Sequence, residues 1–119
     1  MKILFIGDVV GMRSCEALQR ELHNVKQKLG AEVIIVNGEN SAEGNGINPA
    51  SAGAIFDAGA DVITTGNHCF RQKTMEAEWE HNERIIRPAN FDDEVIGRGI
   101  CVLDRGAYSI AVINLMGTT

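Results

Sequence analysis

Apolar residues in this chain come in short runs, and the first three runs end alike, in a glycine followed by polar side chains. Residues 2 to 7, KILFIG, lead to Asp8; residues 31 to 38, AEVIIVNG, lead to Glu39 and Asn40; residues 61 to 66, DVITTG, lead to Asn67 and His68. Their length and β-branched content predict strands. The unbroken Val33-Ile34-Ile35-Val36 run predicts a strand buried on both faces. Between the first two, Leu18, Leu22, Val25 and Leu29 recur at three- and four-residue spacing, which predicts an amphipathic helix over RSCEALQRELHNVKQKLG, stopped at Gly30. Asn48-Pro49 predicts a second helix, capped by the asparagine, striped by Ala54, Ile55 and Ala58 and closed at Gly59. A third helix is expected over about residues 72 to 80, followed by a short strand in RIIRP and a loop in ANFDDEV. GICVLDRGAYSIAVINL then reads as a hairpin turning around Asp104-Arg105-Gly106.

Three successive strand–helix units imply an α/β fold: a mostly parallel sheet with flanking helices, joined by right-handed crossovers, plus a C-terminal β-hairpin. With 119 residues, 45% of them hydrophobic, the expected organisation is one domain over residues 1–119 with no disordered tract. In open parallel sheets ligands bind beyond the carboxyl ends of the strands. Here those ends deliver Asp8, Glu39, Asn40, Asn67 and His68.

Two carboxylates, two amide oxygens and an imidazole suit one or two divalent ions such as manganese, iron, magnesium or zinc. Glu39 has two oxygens and is the natural bridge; a metal pair about 3.5 to 4 Å apart can hold the attacking and leaving oxygens of a phosphoryl transfer, leaving His68 free as an acid. Taken singly the residues have plainer readings. Asp8 reads equally well as the cap of the following loop or helix, Asn40 as a turn residue, and Gly66 as the point where the chain turns from the sheet. His23 and His81 read as solvated helix-surface residues, and Cys69 as a small loop side chain.

The net charge is −5 and the basic residues are scattered, which excludes an extended nucleic-acid surface and makes an anionic substrate dependent on a local cation. No run approaches the about 20 apolar residues of a membrane span, and the start lacks the apolar region of a signal peptide. Cys15, Cys69 and Cys101, odd in number and widely spaced, are expected to be reduced thiols in a cytoplasmic protein. A dinucleotide-binding reading fails because GDVVGM lacks the G-x-G-x-x-G spacing, EGNGI does not supply it, and there is no GK[ST] phosphate loop.

GDVVG, NGEN, TGNH and RPANF, in that order and continuing to AVINLMG, resemble the amino-terminal half of the YmdB-like branch of the calcineurin-like metallophosphoesterases. That superfamily usually opens with Asp-x-His and has Gly-Asp in its second motif, whereas this branch has a lone Asp and Glu-Asn, as at Asp8, Glu39 and Asn40. The resemblance implies half of an α/β/β/α sandwich and a dinuclear centre with iron or manganese foremost. Asp8, Glu39 and Asn40 would hold one ion, Glu39 and Asn67 the other, with His68 as proton donor. It also implies hydrolysis of 2',3'-cyclic nucleotides or related phosphodiesters.

Two departures from the family pattern stand out. The histidines that complete the family's centre come from a carboxyl-terminal half with no counterpart here, so the expected domain is truncated and the site half built. After TGNH the family commonly continues Thr-Trp-Asp, whereas Cys69, Phe70 and Arg71 follow here, removing an acidic partner for His68. A sandwich without its second half exposes an apolar sheet face and an unpaired edge, so self-association is expected. The alternative function is a catalytically inactive metal- or phosphate-binding or assembly module.

Overall fold

The first three glycine-terminated runs are strands, and they lie side by side in chain order. In the computed structural model, which describes residues 1–43 and 45–117, β1 (Ile3–Ile6), β2 (Val33–Asn37), β3 (Val62–Thr64) and β4 (Ile85–Ile86) form one parallel sheet in the order β1-β2-β3-β4. Gly44, within EGNGI, lies outside the described residues, as do 118 and 119. Helices α1 (Gly11–Leu29), α2 (Pro49–Ala58) and α3 (Glu76–His81), the last entered through a 3₁₀ turn at Lys73–Met75, connect the strands. The hairpin is β5 (Ile100–Asp104) with β6 (Ser109–Ile113).

Alternation along the strands separates two cores. Ile34, Val36, Ile63 and Ile85 face the helices and meet Leu22, Ile55, Met75 and Trp79. Val33, Ile35, Val62 and Ile86 face the other way and meet Cys101 and Val112, with Leu103 and Ile110 alongside. The Val33–Val36 run is buried throughout, as its continuity predicts. The layers are therefore helices, parallel sheet and hairpin, which is the expected α/β architecture.

Local chemistry explains the helix ends. Asn48 Oδ1 accepts from Ser51 N–H at 2.8 Å while Ser51 Oγ accepts from Asn48 N–H at 3.1 Å, a reciprocal cap in front of Pro49. Gly30 ends α1 in the left-handed region at φ 67°, where a side chain would be strained. The start of α1 differs from expectation. It begins at Gly11, with Val10 at the cap position and no side-chain cap, so Asp8 does not cap it. Its first donors are satisfied from the loop after β2: Gly11 N–H donates to the Asn40 carbonyl and Met12 N–H to a Glu43 carboxylate oxygen, both at 3.1 Å. The other end also differs. Leu22 is buried, but Val25 and Leu29 are 38% and 46% exposed. A 19-residue helix spans about 28 Å, against about 17 Å for a five-residue strand, so its last turns overhang the sheet.

The hairpin is pinned at both ends. At its turn, residues 105–108, the Arg105 guanidinium pairs with Asp61 at 2.8 Å and the Tyr108 hydroxyl donates to Glu32, tying it to the amino ends of β2 and β3. At the opposite end buried Asn114 donates through Nδ2 to the carbonyls of Thr65 (2.8 Å) and Ile86 (3.1 Å), fixing the chain after β6 to the carboxyl ends of β3 and β4.

Candidate active site

Because β1, β2 and β3 are parallel, the residues following each emerge at one edge. Backbone bonds keep the three loops together there: Val9 N–H donates to Asn37 O at 3.1 Å, Gly38 N–H to Thr64 O at 3.0 Å, and Val10 and Asn40 form an isolated parallel bridge. Asp8 and Asn67 are exposed, and Glu39, Asn40 and His68 are half-buried. Asp8 adopts φ 55°, an uncommon left-handed conformation for a non-glycine residue.

The closest contacts centre on His68. Its Nδ1 lies 3.1 Å from Glu39 Oε2 and 3.1 Å from Asn40 Oδ1. An ionised carboxylate only accepts, so Nδ1 carries the hydrogen and the other ring nitrogen, Nε2, is left for exchange with a ligand or water. Glu39 is seated directly on Gly66. A Cβ at residue 66 would stand 1.9 Å from Glu39 Oε1 and 2.8 Å from its Cδ. The chain does turn from the sheet at Gly66, whose carbonyl accepts from Cys69 N–H at 3.1 Å, but its φ is not positive, and what calls for glycine there is the space taken by the Glu39 carboxylate.

Buried polar groups hold these residues from behind. The Ser41 hydroxyl donates to the Gly38 carbonyl at 2.8 Å and lies 2.9 Å from Ser51 Oγ, coupling the Gly38-Glu39-Asn40 turn to the α2 cap. Thr65 Oγ1 donates to the Ile86 carbonyl at 2.8 Å, and Asn114 takes the Thr65 carbonyl just before Gly66. Thr65 and Asn114 are not singled out by sequence reasoning because their partners are backbone carbonyls distant in the chain, and Ser41 is not because its bonds to the Gly38 carbonyl and the Ser51 hydroxyl leave no pattern of spacing. The one usable signal was a polar residue interrupting an apolar run. Arg87 of RPANF is buried, and its guanidinium donates to the carbonyls of Pro88 (2.9 Å) and Val95 (3.1 Å), so it organises the loop after β4. Cys69 is fully buried; loss of solvation pushes its thiol up to about 11, against a smaller lowering by Thr65, which agrees with an inert small side chain. His23 and His81 are exposed on helices, as expected.

Two hollows flank the Glu39–His68 contact. Glu39 and Asn67 line one of about 570 Å³ with Asn37, Thr64, Asn114 and Phe5; Asn40 and His68 line another of about 400 Å³ with Gly11, Glu43 and Asn45. Asp8 lines neither. Among the described residues no three His, Cys, Asp or Glu side chains cluster closely enough to hold a metal ion. Glu39 and Asn40 nonetheless both direct an oxygen at one positively polarised N–H, an arrangement of hard donors that a divalent cation also fits.

Comparison with known proteins agrees with this architecture. The family model described as YmdB-like protein matches residues 4–119. A 2',3'-cyclic-nucleotide 2'-phosphodiesterase of Bacillus subtilis is 37% identical over 119 residues, covering all of this chain and 45% of that protein. A putative phosphatase/phosphodiesterase of Mycoplasma pneumoniae is 32% identical over 123 residues, covering all of this chain and 44% of that protein. Among solved structures, a hypothetical protein from Thermus thermophilus superposes with TM-score 0.90 at 32% identity, over 98% of this chain and 45% of that one. A novel phosphatase from Mycoplasma pneumoniae gives the same TM-score and identity over 99% of this chain and 43% of that one. The chain thus spans less than half the length of the curated relatives it matches.

Proposed function

The chain belongs to the YmdB-like family, and from that premise we propose that it carries part of the active site of a metal-dependent phosphodiesterase acting on 2',3'-cyclic nucleotides or related small phosphodiesters. The observation that carries the reading is the contact of His68 Nδ1 with Glu39 and Asn40 at the carboxyl edge of the parallel sheet. Asp8, Glu39, Asn40 and Asn67 would hold two divalent ions, iron or manganese by preference, with magnesium or zinc as alternatives. When bound, such ions supply positive charge for the phosphoryl oxygens and a nucleophile at neutral pH.

The chain's own residues do the rest. Glu39 and Asn40 fix the imidazole through Nδ1, so a proton carried at Nε2 can pass to the departing alkoxide oxygen, breaking the P–O bond without releasing a strongly basic leaving group. Gly66 admits the Glu39 carboxylate, and Ser41 and Asn114 hold the turns from which Glu39 and His68 project. A cytoplasmic setting belongs to the proposal, supported by three buried free thiols. No helix among the described residues is long and apolar enough to cross a membrane. Self-association of the isolated chain also belongs to it, supported by exposed Val102, Ile113 and Leu115.

A second reading, a catalytically inactive binding or assembly module, is favoured by the absence of a third close His, Cys, Asp or Glu ligand among the described residues. Hydrolysis of a chromogenic phosphodiester with manganese or iron separates the two. Turnover by the wild-type chain that disappears in both Glu39→Gln and His68→Ala supports the first; folded proteins that all lack turnover support the second.

A further inference from the structure

Another hollow, of about 260 Å³, lies on the helix-covered side of the sheet and is lined by Phe70, Gln72, Lys73, Glu76, Trp79 and Ile96. Its walls are aromatic. The Phe70 ring meets Trp79 edge-on at 5.2 Å between centroids and lies 6.2 Å from Phe91, yet Phe70 is 39% exposed, so it offers a free surface on which a second π-system can stack. Trp79 gives an independent sign of a ligand. It is 3% exposed, and among the described residues its indole Nε1 has no hydrogen-bond acceptor, although a buried indole N–H ordinarily finds one. The hollow also adjoins the one that His68 lines. Gln72 forms part of its wall and donates through Nε2 to the Asn45 carbonyl at 2.8 Å, while Asn45 lines the hollow shared by Asn40 and His68. Phe70 follows His68 by two residues, inside a turn in which Arg71 N–H donates to the His68 carbonyl at 3.2 Å.

We propose that this hollow takes the base of a nucleotide whose phosphate lies at His68, with Phe70 stacking on the base and Trp79 Nε1 donating to one of its ring nitrogens or carbonyl oxygens. The inference deepens the phosphodiesterase reading and rests on it for the identity of the nucleotide as substrate. A nucleotide joins phosphate to base through one ribose, so two adjoining hollows are what it requires. An aliphatic ligand would fill the same space and leave the indole N–H unpaired, whereas a flat heterocycle bearing acceptors satisfies both the ring and the donor. Nε1 itself is covered, so its bond forms as Phe70, the exposed one of the two rings, re-orients against the base. Exposed Lys73 and Glu76 stand at the rim with a donor and an acceptor for exocyclic groups.

Trp79 is the chain's single tryptophan and serves as its own reporter. Its fluorescence, corrected for nucleobase absorbance, is followed as the chain is titrated with adenosine, 2',3'-cyclic AMP and base-free ribose phosphate. The expected result is saturable quenching by adenosine and by the cyclic nucleotide, and none by ribose phosphate. Phe70→Leu keeps the apolar bulk but removes the π-face, and it should weaken both by at least about fivefold, whereas Phe70→Tyr should stay within about twofold of the wild type. Adenosine has no phosphate, so its binding tests the subsite alone; turnover of a base-free chromogenic phosphodiester tests the catalytic reading alone. The proposal is overturned by the absence of quenching by adenosine, by quenching that Phe70→Leu leaves unchanged, or by quenching by adenosine that the cyclic nucleotide does not share.

Discussion

Neighbouring side chains of β1 meet opposite environments. Leu4 and Ile6 pack into the helix-side core, whereas Ile3 and Phe5 stand on the hairpin side and stay about half exposed. The same contrast runs through the molecule. The helix-covered face is closed, with Ile34, Val36 and Ile63 at 0% exposure, and the hairpin-covered face is closed only over β2 to β4. Equal hydrophobicity on two faces of a strand therefore fixes which way residues alternate, and the neighbouring layer decides whether burial is realised.

That contrast can be broken experimentally. On the closed face, Ile63→Ala removes a fully buried side chain from a packed core and should lower stability by about 2–5 kcal/mol in urea unfolding. A loss below about 1 kcal/mol would contradict close packing there. Asn114→Ala should cost about 1–3 kcal/mol, because the buried Thr65 carbonyl loses its Nδ2 donor, and it should speed amide exchange around residues 65–68. Unchanged exchange would separate Asn114 from the candidate site.

Alkaline pH probes the same core more gently. The Cys69 thiol is raised from its ordinary value of 9.0 to about 11, chiefly by burial, so the native state keeps the proton that the unfolded chain releases. Its contribution is fully present below pH 9 and lost as pH rises from 9 through about 11, a window visible in thermal unfolding; Cys69→Ser should flatten the slope there. The smallest effect is on the open face. Phe5→Ser should change the isolated chain's stability by no more than about 0.5 kcal/mol, since Phe5 is 57% exposed.

Much of the fold was legible because local signals agreed. Asn48-Pro49 and Gly59 bound α2, Gly30 closes α1, and the Val33–Val36 run is buried as its continuity implies. What escaped was long-range. The early start of α1 depends on Asn40 and Glu43, about 30 residues away, and the overhang of Val25 and Leu29 depends on the length of a strand the helix pattern does not contain. At the candidate site, the order of the loops brought His68 to Glu39 and Asn40, as parallel strand ends imply. Gly66 was legible as the point where the chain turns from the sheet, but its steric role was not: a need for space around a carboxylate 27 residues earlier leaves no local pattern.

On the proposed reading, the sheet edge presents an oxygen-donor site organised by Glu39 seated on Gly66. Its most direct test is Mn²⁺ binding, followed by loss of the free-ion electron paramagnetic resonance signal, for the wild-type chain, Glu39→Gln and Gly66→Ala. Saturable binding by the wild type and at least about tenfold weaker binding by both variants are expected, in line with the effect of disturbing a ligand's support. Equal binding by all three folded proteins would contradict it.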